Sequence, residues 1–335
     1  MQKTYQALPY MDGLAPQTLA SGVGILRALA KVVVVGSTNT DMTVRVPRIP
    51  APGETAGGRD FRVSGGGKGA NQAVAAARSG ATVAFLTAVG DDALGEQALA
   101  RLGAEAIDLR MAQRMPGPSG VALIVVDDTG ENAIAVAAGA NGELRPAHVQ
   151  PLGDRLAPGD VVLLQLEIPM AAVLTAATLA HARGARVVLN PAPAPADGLP
   201  DALIQTVTVL VPNEHEAEQL TGVRVDDAAG LAHAAAVLHA RGVPDVLITL
   251  GVRGVFVSGP GGSRLLPAFP VTAIDTTAAG DVFCGALAVA LTEGQSVEDA
   301  ARFAAAAAAI SVTRPGAQAS APHRAEIETL LHATP

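Results

Sequence analysis

What most restricts the fold of this chain is a rhythm. From Lys31 onward, short apolar runs alternate with longer segments of helical character. The first run, Val32-Val33-Val34-Val35-Gly36, is apolar at every position. A strand reads that way when both faces of a parallel sheet are covered. Further strands are predicted at Thr82–Thr87, Val161–Leu166, Arg186–Leu189, Thr208–Val211, Val246–Leu250 and Val255–Ser258. Helices are predicted at Ala70–Ser79, Leu94–Leu102, Met170–Arg183, Glu214–Leu220, Ala228–Arg241, Asp281–Leu291, Val297–Thr313 and Arg324–His332. Strands alternating with helices imply an α/β fold, a mostly parallel sheet with helices on both faces.

One stretch breaks the rhythm. Asp41–Val46 alternates, and Val121–Val126 and Asn132–Val136 flank Asp127-Asp128-Thr129-Gly130, a hairpin signal. These runs predict a small separate β-sheet over about 41–62 and 119–137. Residues 1–30 mix Pro, Gly, Gln and Ser without a period and match neither a signal peptide nor an Arg-rich transit peptide. They read as a poorly ordered N-terminal extension, and 31–335 as one folded domain without an internal repeat or dividing linker.

Composition removes several classes of function. A chain of 335 residues can bury a large core. A formal charge of −8 with 2% aromatic residues and no Trp argues against a nucleic-acid surface, which needs a basic face and stacking platforms. No apolar run approaches the roughly 18 residues of a membrane helix. The single cysteine, Cys284, leaves no internal disulfide or Cys-rich metal site, and favours a reducing, cytoplasmic setting.

Several segments could carry chemistry. Asp275-Thr276-Thr277-Ala278-Ala279-Gly280-Asp281 runs straight into an apolar helix. Small residues at a helix start leave backbone N–H groups and the positive end of the dipole open to an anion. An aspartate there can contact an alcohol beside that anion, which is what phosphoryl transfer needs. A plain capped helix, with Asp281 as the cap, fits the same residues. Ser64-Gly65-Gly66-Gly67-Lys68-Gly69-Ala70-Asn71 allows close approach to the backbone, with Asn71 placed to bridge vicinal hydroxyls. A flexible loop is the alternative. Asn213-Glu214-His215-Glu216 puts Asn213 and Glu216 on one helical face, either to organise Mg²⁺ near a phosphate or as a capping box. Thr249-Leu250-Gly251-Val252-Arg253-Gly254 suits the floor of a nucleotide site or an ordinary turn. The Walker pattern is absent. Gly65-x-Gly67-x-x-Ala70 meets only the looser dinucleotide form and follows the second strand-like region, which disfavours a dehydrogenase.

Taken in order, Asn39-x-Asp41, Gly65–Asn71, Gln165-Leu166-Glu167, Asn213-x-x-Glu216, Thr249-Leu250-Gly251 and Asp275–Asp281 resemble the ribokinase family of carbohydrate kinases over roughly Lys31 to His332. That resemblance implies a three-layer α/β/α sandwich with the small sheet as a lid. It implies ATP-dependent phosphorylation of D-ribose at O5 to ribose 5-phosphate, with Asp281 as base and Ala278, Ala279 and Gly280 as the backbone anion hole. Sugar contacts would come from Asn39, Asp41, Gly67, Lys68, Asn71, Glu167 and, on the lid, Ile134. Nucleotide contacts would come from Asn213, Glu216, Thr249, Gly251, Gly254 and Gly280, with adenine in an apolar slot near Ala305. Mg²⁺ or another divalent ion would accompany ATP. A monovalent site, usually K⁺, would use Asp275, Thr277, Ser311, Arg314, Gly316 and Ser320, several through carbonyls. A homodimer through the lid is also implied. Cys284 stands where the family often has Asn. A sister kinase for 2-deoxyribose, fructose or a nucleoside is the near alternative, and a non-catalytic sugar sensor the distant one.

Overall fold

The computed structural model describes residues 31–334, so the expectation for residues 1–30 lies outside the described residues. In chain order the strands are β1 (Val32–Val35), β2 (Asn39–Arg45), β3 (Arg59–Gly66), β4 (Val83–Leu86), β5 (Ala88–Gly90), β6 (Gln113–Met115), β7 (Gly120–Val126), β8 (Asn132–Ala137), β9 (Val161–Leu164), β10 (Arg186–Leu189), β11 (Val209–Leu210), β12 (Asp245–Thr249), β13 (Val255–Gly259) and β14 (Gly262–Leu266). The α-helices are α1 (Lys68–Arg78), α2 (Ala93–Ala104), α3 (Pro146–Val149), α4 (Met170–Ala182), α5 (Asp201–Ile204), α6 (Glu214–Thr221), α7 (Ala228–Ala240), α8 (Ala279–Thr292), α9 (Val297–Ser311) and α10 (Arg324–Ala333).

The valines of β1 are 0% exposed and alternate between two cores. Val33 and Val35 point into the core shared with α4, α6 and α7; Val32 and Val34 point into the one shared with α1, α8, α9 and α10. A period of two along each strand thus feeds both faces, giving a three-layer α/β/α sandwich. The main sheet runs β14-β13-β12-β11-β10-β9-β1-β4. β4 through β12 in that order pair in parallel, and β13 and β14 close the edge antiparallel.

The separate sheet runs β3-β2-β7-β8, with β2 and β7 parallel and the outer pairs antiparallel. β3 was not predicted from sequence; its residues Arg59 to Ser64 are exposed and carry no clean apolar period. β14 and the short β5–β6 pair also escaped the pattern, being exposed in the first case and very short in the second. No helix among the described residues is long and apolar enough to cross a membrane.

Candidate active site

β1 lies between β4 and β9, so the connections leave it in opposite directions and open a crevice at its carboxyl end. Parallel strands deliver their following residues to that same end. Ser37–Asn39 follow β1, Gln165–Glu167 follow β9, Asn190 follows β10, Asn213 follows β11 and Gly251 follows β12. The N-termini of α1 and α8 enter the crevice from one face.

Asp281 is 6% exposed, in the first turn of α8. Its Oδ2 accepts from Asn71 Nδ2 at 2.9 Å and its Oδ1 from Gln72 Nε2 at 3.0 Å. Burial raises its carboxyl above the usual range, against the pull of the Lys68 ammonium and the two amides. Burial works against charge on Lys68, yet the carboxylates of Asp281, Glu167 and Glu216 outweigh it and raise that ammonium above its ordinary value. Lys68 is therefore the cation of a carboxylate-lined site.

The start of α8 is an open donor set. Ala278 adopts φ +60°, a left-handed conformation that costs a non-glycine residue on the order of 1–3 kcal/mol and clusters at functional sites. Ala279 N–H closes back on the Thr276 carbonyl at 3.2 Å, and Val282 N–H reaches Ala278 at 2.9 Å. The N–H groups of Gly280 and Asp281 have no intrahelical acceptor by helix geometry. A Cβ on Gly280 would meet nothing within 4 Å, so the space beyond it is open to a ligand.

On the other side of Asp281 lie the sugar-binding candidates. Glu167 Oε2 accepts from Ser37 Oγ at 2.6 Å and from Lys68 N–H at 3.0 Å, which ties β1, β9 and α1 together. Asp41 lies over Gly66, where a Cβ would come within 2.1 Å of its carboxylate. Burial, then the charges of Glu167 and Asp281, push the Asp41 carboxyl up to about 6. Gly67 caps α1 at φ +85°, with Asn39 N–H 2.7 Å from where a Cβ would be, so this turn requires glycine. Asn71 Oδ1 is buried without a partner, an acceptor waiting for a donor such as a hydroxyl. Ile134, on the Asp41 face of the lid through the β2–β7–β8 register, is 57% exposed.

Two residues escaped the sequence reading. Gln72 touches Asp281 directly. Asn141, just past β8, donates to Asn39 Oδ1 at 2.8 Å and to the Thr38 carbonyl at 3.0 Å, and accepts from Thr38 N–H at 2.9 Å. It orients Asn39 where the lid meets the core. Neither partner is close in sequence, so no local pattern could have revealed them.

Two cavities meet at the start of α8. One, of about 190 Å³, is polar and bounded by Lys68, Asn190, Asn213, Glu216, Asp281 and Cys284. The other, of about 480 Å³, is mainly apolar and bounded by Gly251, Gly254, Val255, Phe269, Phe283, Ala305 and Ala309 among others. Thr249, Thr276, Ala279 and Gly280 border both. Asn213 and Glu216 do form a capping box, at 2.9 and 2.8 Å, and Glu216 still faces the polar cavity with its carboxyl raised by burial. The Cys284 thiol is raised well above its ordinary value by burial and the nearby Asp281 and Glu216.

Behind α8, Asp275 joins two loops, accepting from Thr277 N–H at 2.9 Å and Gly316 N–H at 2.8 Å. Ser311 and Ser320 are buried and donate within their own turns to the carbonyls of Ala308 and Ala317. The Arg314 guanidinium pairs with Glu326, so only its backbone could serve a cation.

The profile described as "pfkB family carbohydrate kinase" matches residues 29–324. The chain belongs to this family. Among pfkB relatives, a ribokinase of Haemophilus influenzae is 47% identical over 307 residues, 90% of this chain and 99% of the relative. The ribokinase structure from Thermotoga maritima superposes with TM-score 0.82 at 39% identity, covering 90% of this chain and 99% of that one. An Arabidopsis thaliana ribokinase, solved with ribose and ATP, gives TM-score 0.82 at 33% identity over 90% of this chain and 98% of that one.

Proposed function

We propose that this pfkB kinase transfers the γ-phosphoryl group of ATP to O5 of D-ribose. The observation that carries this reading is the position of Asp281, between a hydroxyl-binding set and the donor-rich start of α8. Asn39, Asp41, Asn71 and Glu167 bind the sugar hydroxyls, the orphaned Asn71 Oδ1 among them. O5 attacks the γ-phosphorus, its proton passes to an Asp281 oxygen, and the bond to the β-phosphate oxygen breaks to release ADP. Placement dominates the rate here, because the transition state is loose and the proton moves late. The raised Asp281 carboxyl favours taking the proton from the alcohol. The N–H groups of Gly280 and Asp281, the α8 dipole and Lys68 stabilise the transferring group. The polar cavity takes the phosphates and the apolar one, beside Ala305, the adenine.

A divalent ion fits the donor set: hard carboxylate oxygen from Glu216, next to an Asn213 amide and the phosphate space. Bound there, it would neutralise charge on the phosphates during transfer. A monovalent ion is placed among Asp275, Thr277, Ser311, Arg314, Gly316 and Ser320, where the Asp275 carboxylate already joins the Thr277 and Gly316 loops. A second copy of the chain covers the outer lid face that carries the exposed Phe61, Val63 and Leu123.

The test is turnover with ATP, Mg²⁺ and a panel of ribose, 2-deoxyribose, fructose and adenosine, with and without K⁺. Ribose should have the highest kcat/KM and give ribose 5-phosphate. Turnover of another sugar with ribose inert would refute the substrate.

A further inference from the structure

Gln72 is fully buried on α1, at the centre of a chain of side-chain amides. Gln165 Nε2 donates to Gln72 Oε1 at 2.6 Å. Gln72 Nε2 donates to Asp281 Oδ1 at 3.0 Å and to Asn190 Oδ1 at 3.3 Å. Asn190 Nδ2 donates in turn to the Val211 carbonyl at 2.9 Å.

The ends of the chain dictate its polarity. A backbone carbonyl and an ionised carboxylate can only accept. Asn190 must therefore turn Nδ2 to Val211 and Oδ1 to Gln72, and Gln72 must turn Nε2 to both Asn190 and Asp281. Only Nε2 of Gln165 can then meet Gln72 Oε1. The cost of that arrangement is visible: Gln165 Oε1 is left buried without a partner. Gly36 makes room for it, since a Cβ there would stand 1.8 Å from that oxygen. The ends of β9 and β10 thus converge through Gln72 on one carboxylate oxygen, while Asn71 serves the other.

We propose that Gln72 is a positioning residue for Asp281, with its donor direction imposed by Asn190 and its Oε1 held by Gln165, and that it holds the carboxylate in one orientation while each oxygen keeps a lone pair for the substrate alcohol. The inference rests on the reading of Asp281 as base. The titratable and charged groups facing Asp281 are Lys68 from α1, Asp41 from β2, Glu167 after β9, Glu216 from α6 and Cys284 from α8 itself. A substitution at Gln72 leaves each of them in place.

The experiment is kcat and ribose KM against pH for the full chain, Gln72→Glu, Gln165→Met and Asp281→Asn, with folding checked by thermal melts. Gln72→Glu keeps size but sets two carboxyls side by side, which must share a proton. Its acidic limb should move up by about one pH unit or more, with ribose KM within about threefold of the parent. Gln165→Met removes the donor that holds Gln72 Oε1, loosens the amide and should give a smaller shift in the same direction. An unmoved limb in folded Gln72→Glu overturns the proposal; if that variant does not fold, an unmoved limb in Gln165→Met does so. Asp281→Asn separates the two readings. Full activity there removes the base and the proposal with it, whereas a dead Asn variant beside an unshifted Gln72→Glu removes the proposal alone.

Discussion

The two cavities at the start of α8 share four residues and are made of opposite materials. The polar one is walled by Lys68, Asn190, Asn213, Glu216 and Asp281, several of them hydrogen-bonded to partners far away in sequence. The apolar one is walled by small aliphatic residues, two phenylalanines and glycine backbone. A buried polar group is directional and intolerant of loss. An apolar wall is shape without direction. The polar side is therefore suited to seating the phosphates in one alignment against Asp281, and the apolar side to holding a flat base whose exact rotation matters less. Substitutions on the two sides should separate cleanly in kinetics.

The largest separation is expected at the junction. Asp281→Asn should lower kcat by about 10²–10⁴-fold while ribose still binds in calorimetry, because only the proton acceptor is lost. Next comes Gly120→Ala at the lid hinge. Its Cβ would lie 2.3 Å from both Asn141 Nδ2 and Asn39 Oδ1, so the Asn39 clamp must open. Ribose KM should rise by about tenfold or more with ATP KM within about twofold. On the apolar side, Ala305→Leu fills the slot and should show the mirror image, a rise of several-fold in ATP KM with ribose KM unchanged.

The smallest effect is a pH effect at Asp41. Its carboxyl sits at about 6 in the fold, above the ordinary value of 3.8. Between these values the folded chain holds a proton that the unfolded chain has released, so this contribution to stability grows as pH falls through 6 and is absent well above it. Asp41→Asn should therefore raise Tm by a few degrees or less at pH 8 and change it less at pH 4, measured by thermal melts. The same variant should weaken ribose binding at pH 8.

How legible all this was from sequence depended on the range of the interaction. The start of α8 is local: small residues, Asp281 and an apolar run stand side by side, and the helix begins within two residues of its predicted start. The β1 valines announced two covered faces for the same reason. Asn213 and Glu216 were legible in both of their roles, since a capping box is itself a three-residue spacing. Gln72 and Asn141 were not, because each acquires its role from partners brought together only by the fold. β3 was missed because a lid strand that buries little needs no apolar period, and Phe61 and Val63 face outward.

The most direct test is a crystal structure of the chain with ribose and a non-hydrolysable ATP analogue. The expected result is ribose O5 within about 2.6–3.2 Å of an Asp281 carboxylate oxygen, with the terminal phosphate against the Gly280 N–H. A different hydroxyl beside Asp281, or a terminal phosphate seated away from the start of α8, would contradict the account.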